Sequence, residues 1–138
     1  MKKLTSILLS AIIMLTAVVG FDLTAYAGSY DTTAKAKSYT LGTTTTGYFS
    51  SNDMIDFLKV VVPQSGRIDF TAEGTGEYYI CIYPSNATED RVDYNYIGYN
   101  DNLGKAYSES YAYLVAGTYY FKVDGIYSNC SYTISSSF

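Results

Sequence analysis

The 138-residue chain carries 9 Lys and Arg against 13 Asp and Glu, a formal charge of −4, and contains neither His nor Trp. The missing histidine excludes Ser-His-Asp and Cys-His catalysis and histidine-ligated zinc, and the scattered cations form no basic patch of the kind nucleic acid needs. Seventeen tyrosines remain as the main aromatic resource.

Lys2-Lys3, the apolar run Leu4 to Val19 and the small-residue triplet Ala25-Tyr26-Ala27 stand in the order of a secretory signal peptide. An uncleaved anchor is the competing reading, but the run is slightly short of the roughly 20 residues that span a bilayer. The expected segmentation is a signal peptide over 1–27, a polar flexible leader over 28–37 and a folded domain over 38–138. The setting expected is secreted and extracellular, with no membrane contact once the signal peptide is cleaved.

Ser38 to Gly42 reads as a first strand, and the run Thr43 to Thr46 leads through Gly47 into Tyr48-Phe49. Ser50-Ser51-Asn52-Asp53 is turn chemistry, because Asn and Asp side chains imitate backbone turns. From Asp56 to Val62, Leu58, Val60 and Val62 share one face and Phe57, Lys59 and Val61 the other; Lys59 must reach water, so the first set points inward. Pro63 to Gly66 ends this strand. Arg67 to Ala72 then offers Ile68, Phe70 and Ala72 to the core, and the two strands are expected to form a hairpin.

After Glu73-Gly74-Thr75-Gly76, the strand Glu77 to Tyr83 turns Ile80 and Ile82 to one side and Tyr79, Cys81 and Tyr83 to the other. Pro84 to Asp93 is a long polar loop, Tyr94 to Tyr99 a short aromatic strand, and Asn100 to Gly104 another loop. Tyr107 to Leu114 places Ala112 and Leu114 inward and Tyr111 and Tyr113 outward. Thr118 to Val123 is dense in β-branched and aromatic residues, with Tyr119, Phe121 and Val123 facing one core, and reads as a central strand. A turn at Asp124-Gly125 precedes a last strand whose Tyr132 and Ile134 share a face. No helical apolar period occurs after residue 28, and turn signals recur every eight to twelve residues, so the fold expected is all-β, an antiparallel sandwich of about seven to nine strands in one domain.

The order D-x-x-D-F-x-K-V-x-V-P (Asp53 to Pro63), G-R-I-D-F (Gly66 to Phe70), Y-I-C-I-Y (Tyr79 to Tyr83), Y-N-D-N (Tyr99 to Asn102), L-V-A-G-T-Y-Y-F-K-V (Leu114 to Val123) and S-Y-T-I (Ser131 to Ile134) resembles the bacterial pre-peptidase C-terminal domain. That resemblance spans roughly Tyr39 to Phe138. It implies a jelly-roll-like β-sandwich, found beside secreted proteases; some relatives bind collagen or other extracellular polymers, and some are stiffened by calcium. No catalytic domain precedes the module in this sequence.

Three groups of residues are candidates for function. Asp53, Asp56, Asn100, Asp101 and Asn102 carry oxygens in or beside two turns that the resemblance places near the calcium-bearing end of some relatives; the competing reading is that turns need Asn and Asp there anyway. Tyr79, Tyr83, Tyr111, Tyr113 and Tyr120 point away from the core, either as a flat platform for a sugar or fibrous protein or as cross-strand pairs that stabilise a sheet. Cys81 and Cys130 are the only cysteines. A bridge between them would close a loop of about 50 residues, worth about 4 kcal/mol in the chain-entropy model, yet Cys81 has outward parity whereas Cys130 has the parity of core residues. Carboxylate pairs such as Asp53 with Asp56 or Glu89 with Asp90 are too common in loops to indicate glycoside chemistry. The function expected is a non-catalytic module that engages an extracellular polymer or protein, collagen-like or polysaccharide, through one sheet face. The alternative is an assembly subunit that docks onto a separate secreted protease or surface protein.

Overall fold

The computed structural model describes residues 30–84 and 90–138. The signal-peptide region and the middle of the Pro84–Asp93 loop lie outside the described residues. Among the described residues there is no helix long and apolar enough to cross a membrane.

Ten strands follow a short 3-10 turn at Thr33–Lys35: β1 Lys37–Tyr39, β2 Thr44–Phe49, β3 Ile55–Val62, β4 Gly66–Gly74, β5 Tyr78–Pro84, β6 Asp93–Ile97, β7 Tyr99–Asn100, β8 Lys105–Leu114, β9 Gly117–Gly125 and β10 Cys130–Ser137. They form two five-stranded sheets, ordered β1-β3-β9-β5-β6 and β2-β10-β4-β8-β7. The β1–β3 pair is parallel; the remaining ladders are antiparallel. The result is the β-sandwich that the sequence pattern calls for.

Sheet membership corrects the expected hairpin. β3 and β4 belong to different sheets, and Pro63 to Ser65 arches over the core between them. Alternation of apolar and polar residues tells which side of a strand is wet, and it is satisfied equally by a neighbour in the same sheet or by a strand facing it across the core. The aromatic stretch expected as one strand is likewise two, broken at Gly98 where the chain passes from the β6 sheet to the β7 sheet.

The inward assignments hold throughout. Leu58, Val60, Val62, Ile68, Phe70, Ala72, Ile80, Ile82, Ala112, Leu114, Tyr119, Phe121, Val123, Tyr132 and Ile134 are all buried in one core. β9 is the central strand of its sheet, flanked by β3 and β5. Ahead of β1, the Tyr30 carbonyl accepts the Phe57 N–H of β3 at 2.7 Å. Phe57 faces outward on β3 and is nevertheless buried.

Three inward tyrosines tie the sheets together. Tyr132 on β10 donates to Asp56 on β3 at 2.7 Å, Tyr39 on β1 donates to Ser136 on β10 at 2.7 Å, and Tyr78 on β5 donates to the Glu73 carbonyl on β4 at 2.9 Å. A buried ring whose hydroxyl finds a partner brings large apolar area without an orphaned polar atom. Phe49, Tyr78 and Tyr132 pack with ring centroids 5.1 to 6.0 Å apart. Gly47 makes room for this cluster, because a Cβ there would collide with the Tyr132 ring. Burial pushes the Tyr132 and Tyr78 hydroxyls far up, so both stay protonated donors.

Candidate functional site: the outer face of the β5–β6 edge

Strand parity builds a tyrosine surface on the outside of the first sheet. β5 presents Tyr79, Cys81 and Tyr83; β6 runs antiparallel beside it and sets Tyr96 opposite Tyr79 and Tyr94 opposite Cys81. On the other flank β9 sets Tyr120 opposite Tyr83 and Lys122 opposite Cys81. Tyr79 is the hub: its ring stacks on Tyr94 at 5.4 Å and 26° and leans on Tyr96 at 5.1 Å and 35°. Tyr94 and Tyr96 remain 44% and 43% exposed, so the cluster is open to solvent. The Arg91 guanidinium lies 4.7 Å from the Tyr94 ring centre.

The cluster continues toward one end of the sandwich through Glu77. Its carboxylate accepts the Tyr99 backbone N–H at 3.0 Å and the Tyr96 hydroxyl at 2.7 Å. These two donors hold the Glu77 carboxyl below its usual range, the backbone one contributing most. The same bond to Glu77 is the chief reason the Tyr96 hydroxyl is pushed up to about 12. Beyond Glu77 a cleft of about 330 Å³ opens between Thr75, Gly76, Glu77, Tyr99, Tyr127 and Cys130.

The five outward tyrosines, some of which the sequence offers as a platform on one sheet face, are divided between the two faces. Tyr79, Tyr83 and Tyr120 lie on the outer face of the first sheet, whereas Tyr111 and Tyr113, on β8, lie on the outer face of the second. The sandwich core separates the two groups. Tyr94, Tyr96, Glu77, Tyr99 and Tyr127 were not singled out by the sequence reading. The signal for the first two was present: Tyr94 and Tyr96 alternate as Tyr79, Cys81 and Tyr83 do, and pairing β5 with the next strand in sequence puts all of them on one side.

The calcium candidates do not converge. Asp53 and Asp56 flank the β2–β3 turn, and Asn100, Asp101 and Asn102 lie on β7 and the turn after it; β2 and β7 are opposite edges of the second sheet. Four strand spacings of about 4.8 Å separate those edges by roughly 19 Å, too far for one ion whose ligands stand at about 2.3 to 2.6 Å. Asn100 Oδ1 accepts the N–H groups of Asn102 at 3.1 Å and Leu103 at 3.2 Å, which is the turn role. Asp56 is buried and takes the Tyr132 hydroxyl; burial raises its carboxyl above the ordinary value, the hydroxyl opposes that rise, and Asp53 adds to it. These five residues do not fit a single calcium cage.

The sequence leaves a Cys81–Cys130 bridge open, and the structure does not form it. Cys81 and Cys130 are both free thiols. Cys81 points out of the middle of β5 in the first sheet, while Cys130 opens β10 in the second, opposite Phe49. A bridge requires Cα atoms within about 7 Å, and outward parity at Cys81 turns its sulfur away from the other sheet.

Two facing five-stranded sheets, with the chain passing between them at most of its connections, define a jelly-roll-like β-sandwich module. Among solved structures, this chain is similar to the pre-peptidase C-terminal domain of a collagenase from Bacillus anthracis, with a TM-score of 0.56 and 20% identity over 74% of this chain and 94% of that one. That likeness shows the fold, and the resemblance read from the sequence motifs holds at that level. Weaker likenesses are to a ruminal GH26 endo-β-1,4-mannanase (TM-score 0.42, 16% identity, 67% of this chain and 19% of that one) and to PliG of Aeromonas hydrophila, a periplasmic inhibitor of g-type lysozyme (TM-score 0.39, 14% identity, 74% and 99%). No protein-family model and no curated protein matches the chain.

Proposed function

We propose that the chain is a secreted, non-catalytic binding module that engages an extracellular polymer, collagen-like or polysaccharide, through the outer face of its first sheet. The observation that carries this reading is the open ring cluster of Tyr79, Tyr94 and Tyr96 on the β5–β6 edge. Tyrosine offers a rigid apolar ring with a polar tip and only two side-chain torsions to order, which suits recognition of an extended, hydroxyl-rich chain. Export is supported by the charged, apolar and A-x-A order of residues 2–27, and a binding role by a sequence without histidine.

The test is retention on insoluble collagen, cellulose, chitin and bacterial cell-wall material. The purified protein is expected to sediment with at least one of them, and the Tyr79→Ser, Tyr94→Ser, Tyr96→Ser triple variant to stay in solution. Failure of the unmodified protein to sediment with any of the four would overturn the reading.

A further inference from the structure

The end cleft has a chemistry of its own. Asp31, Asp69, Glu73 and Asp124 are each ion-paired, with Lys35, Arg67, Lys105 and Lys122 respectively. Glu77 differs from these: among the described residues its carboxylate bonds only the Tyr96 hydroxyl and the Tyr99 N–H, both through Oε1, and no Lys or Arg forms an ion pair with it. Its second oxygen is left without a hydrogen bond among the described residues. Around it stand Tyr99 and Tyr127, 53% and 56% exposed, and neither ring is stacked on another aromatic ring among the described residues.

The floor of the cleft is built for close approach. Gly76 is buried, and a Cβ on it would collide with the Cys130 sulfur, so only glycine lets β10 begin there. The floor is therefore backbone and a thiol, apolar enough for an aliphatic stem. The volume of about 330 Å³ is at the small end of ligand pockets.

We propose that this cleft receives the cationic side chain, Lys or Arg, of a polypeptide partner, with the charged head on the Glu77 carboxylate between the Tyr99 and Tyr127 rings and the stem over Gly76 and Cys130. Charge complementarity selects the occupant. An ionised carboxylate lacking a cation attracts one, and two free ring faces favour an organic cation through their negative π-faces. A metal ion is the poorer fit, because no group of three or more His, Cys, Asp or Glu side chains converges among the described residues. The depressed Glu77 carboxyl keeps the site charged well into mildly acidic solution. This inference does not depend on the tyrosine face binding a polymer, and each can fail without the other.

The experiment is a nitrogen-15 NMR titration of the full chain with acetyl-lysine methylamide, acetyl-arginine methylamide and the neutral acetyl-norleucine methylamide. One or both cationic probes are expected to shift the amides of Gly76, Glu77, Tyr99, Tyr127 and Cys130, and norleucine to leave them in place. Glu77→Gln keeps an acceptor for Tyr96 and Tyr99 and is expected to weaken binding at least fivefold. Tyr127→Ser, which touches neither hydrogen bond, is expected to weaken it severalfold and serves if the first variant misfolds. Absence of localised shifts with both cations, equal shifts with norleucine, or unchanged affinity in both variants would overturn the proposal.

Discussion

The two outer faces of the sandwich both carry rows of tyrosines, but they spend them differently. On the second sheet Tyr107 and Tyr111 lie under cations, and Tyr111 also meets Tyr113 edge to face at 5.8 Å. Arg67 lies 4.3 Å over Tyr111 while bonding Asp69, Lys105 sits 5.7 Å over Tyr107 while bonding Glu73, and Tyr107 donates to Glu109 at 2.5 Å. On the first sheet the rings are matched to one another, Tyr79 against Tyr94 and Tyr96, with Arg91 over Tyr94 at the rim. The difference is one of degree: the cations over Tyr111 and Tyr107 are themselves ion-paired, whereas Arg91 over Tyr94 is in no ion pair among the described residues. Outward parity is therefore a weaker criterion for a binding surface than the partners each ring already has.

The sharpest way to break this comparison is to empty each face in turn. Replacing Tyr79, Tyr94 and Tyr96 by Ser is expected to weaken polymer binding by roughly 30-fold, the scale of losing an interface hot spot. Replacing Tyr107, Tyr111 and Tyr113 by Ser is expected to leave binding unchanged in the same sedimentation assay. The reverse result would move the site to the second sheet.

An interior variant separates loss of binding from loss of fold. Tyr132→Phe leaves the buried Asp56 carboxylate without its hydroxyl and is expected to cost about 1 to 3 kcal/mol by chemical denaturation, with binding by the folded fraction intact. Asp56→Asn probes the same bond from the other side. Because the folded state raises the Asp56 carboxyl, its ionised form is penalised at neutral pH, and that penalty vanishes as pH falls through the raised value toward the ordinary one. The stability of Asp56→Asn relative to the unmodified protein is therefore expected to be highest near pH 7 and to decline in acid. A difference that does not change with pH would show that Asp56 is not strained by burial.

The faces of the strands were legible in the sequence because a period of two is written in every strand. Lys59 alone orients β3, and Tyr119, Phe121 and Val123 identify β9 as a strand covered on its inner side. Which sheet a strand joins was not legible, since Pro63 to Ser65 can end a hairpin or an arch with the same residues. That ambiguity left open which of the outward tyrosines share a face: β5, with Tyr79, and β8, with Tyr111 and Tyr113, lie in different sheets. The end cleft was hidden for a related reason: Glu77, Tyr99 and the Tyr127–Cys130 segment come from three separate stretches that meet only when both sheets close. The cysteine parity, by contrast, carried the right information, because a sulfur facing out of one sheet cannot reach a residue in the other.

Arg67 tests the second face more gently. Its ion pair with Asp69 is solvent-exposed on both sides, and exposed pairs are screened and entropically costly to hold. Arg67→Met is expected to leave the melting temperature within experimental error while uncovering the Tyr111 ring. If that variant begins to bind the polymer, the cation over the ring is what keeps the second face silent, and the contrast between the faces becomes causal.

The smallest expected effects are those of calcium and of reductant. Calcium would stabilise the fold only by binding the native state, by an amount that grows with its concentration over the dissociation constant. The acidic and amide side chains of the two turns sit at opposite edges of a sheet, and Asp56 and Asn100 already spend oxygens on Tyr132 and on the turn backbone. Melting in millimolar calcium and in chelator is therefore expected to coincide. Reductant is expected to change nothing either, because Cys81 and Cys130 are free and belong to different sheets. A rise of several degrees with calcium would require ligands from outside the described residues or a rearranged β2–β3 turn, and a fall with reductant would require β10 to leave its place beside β2.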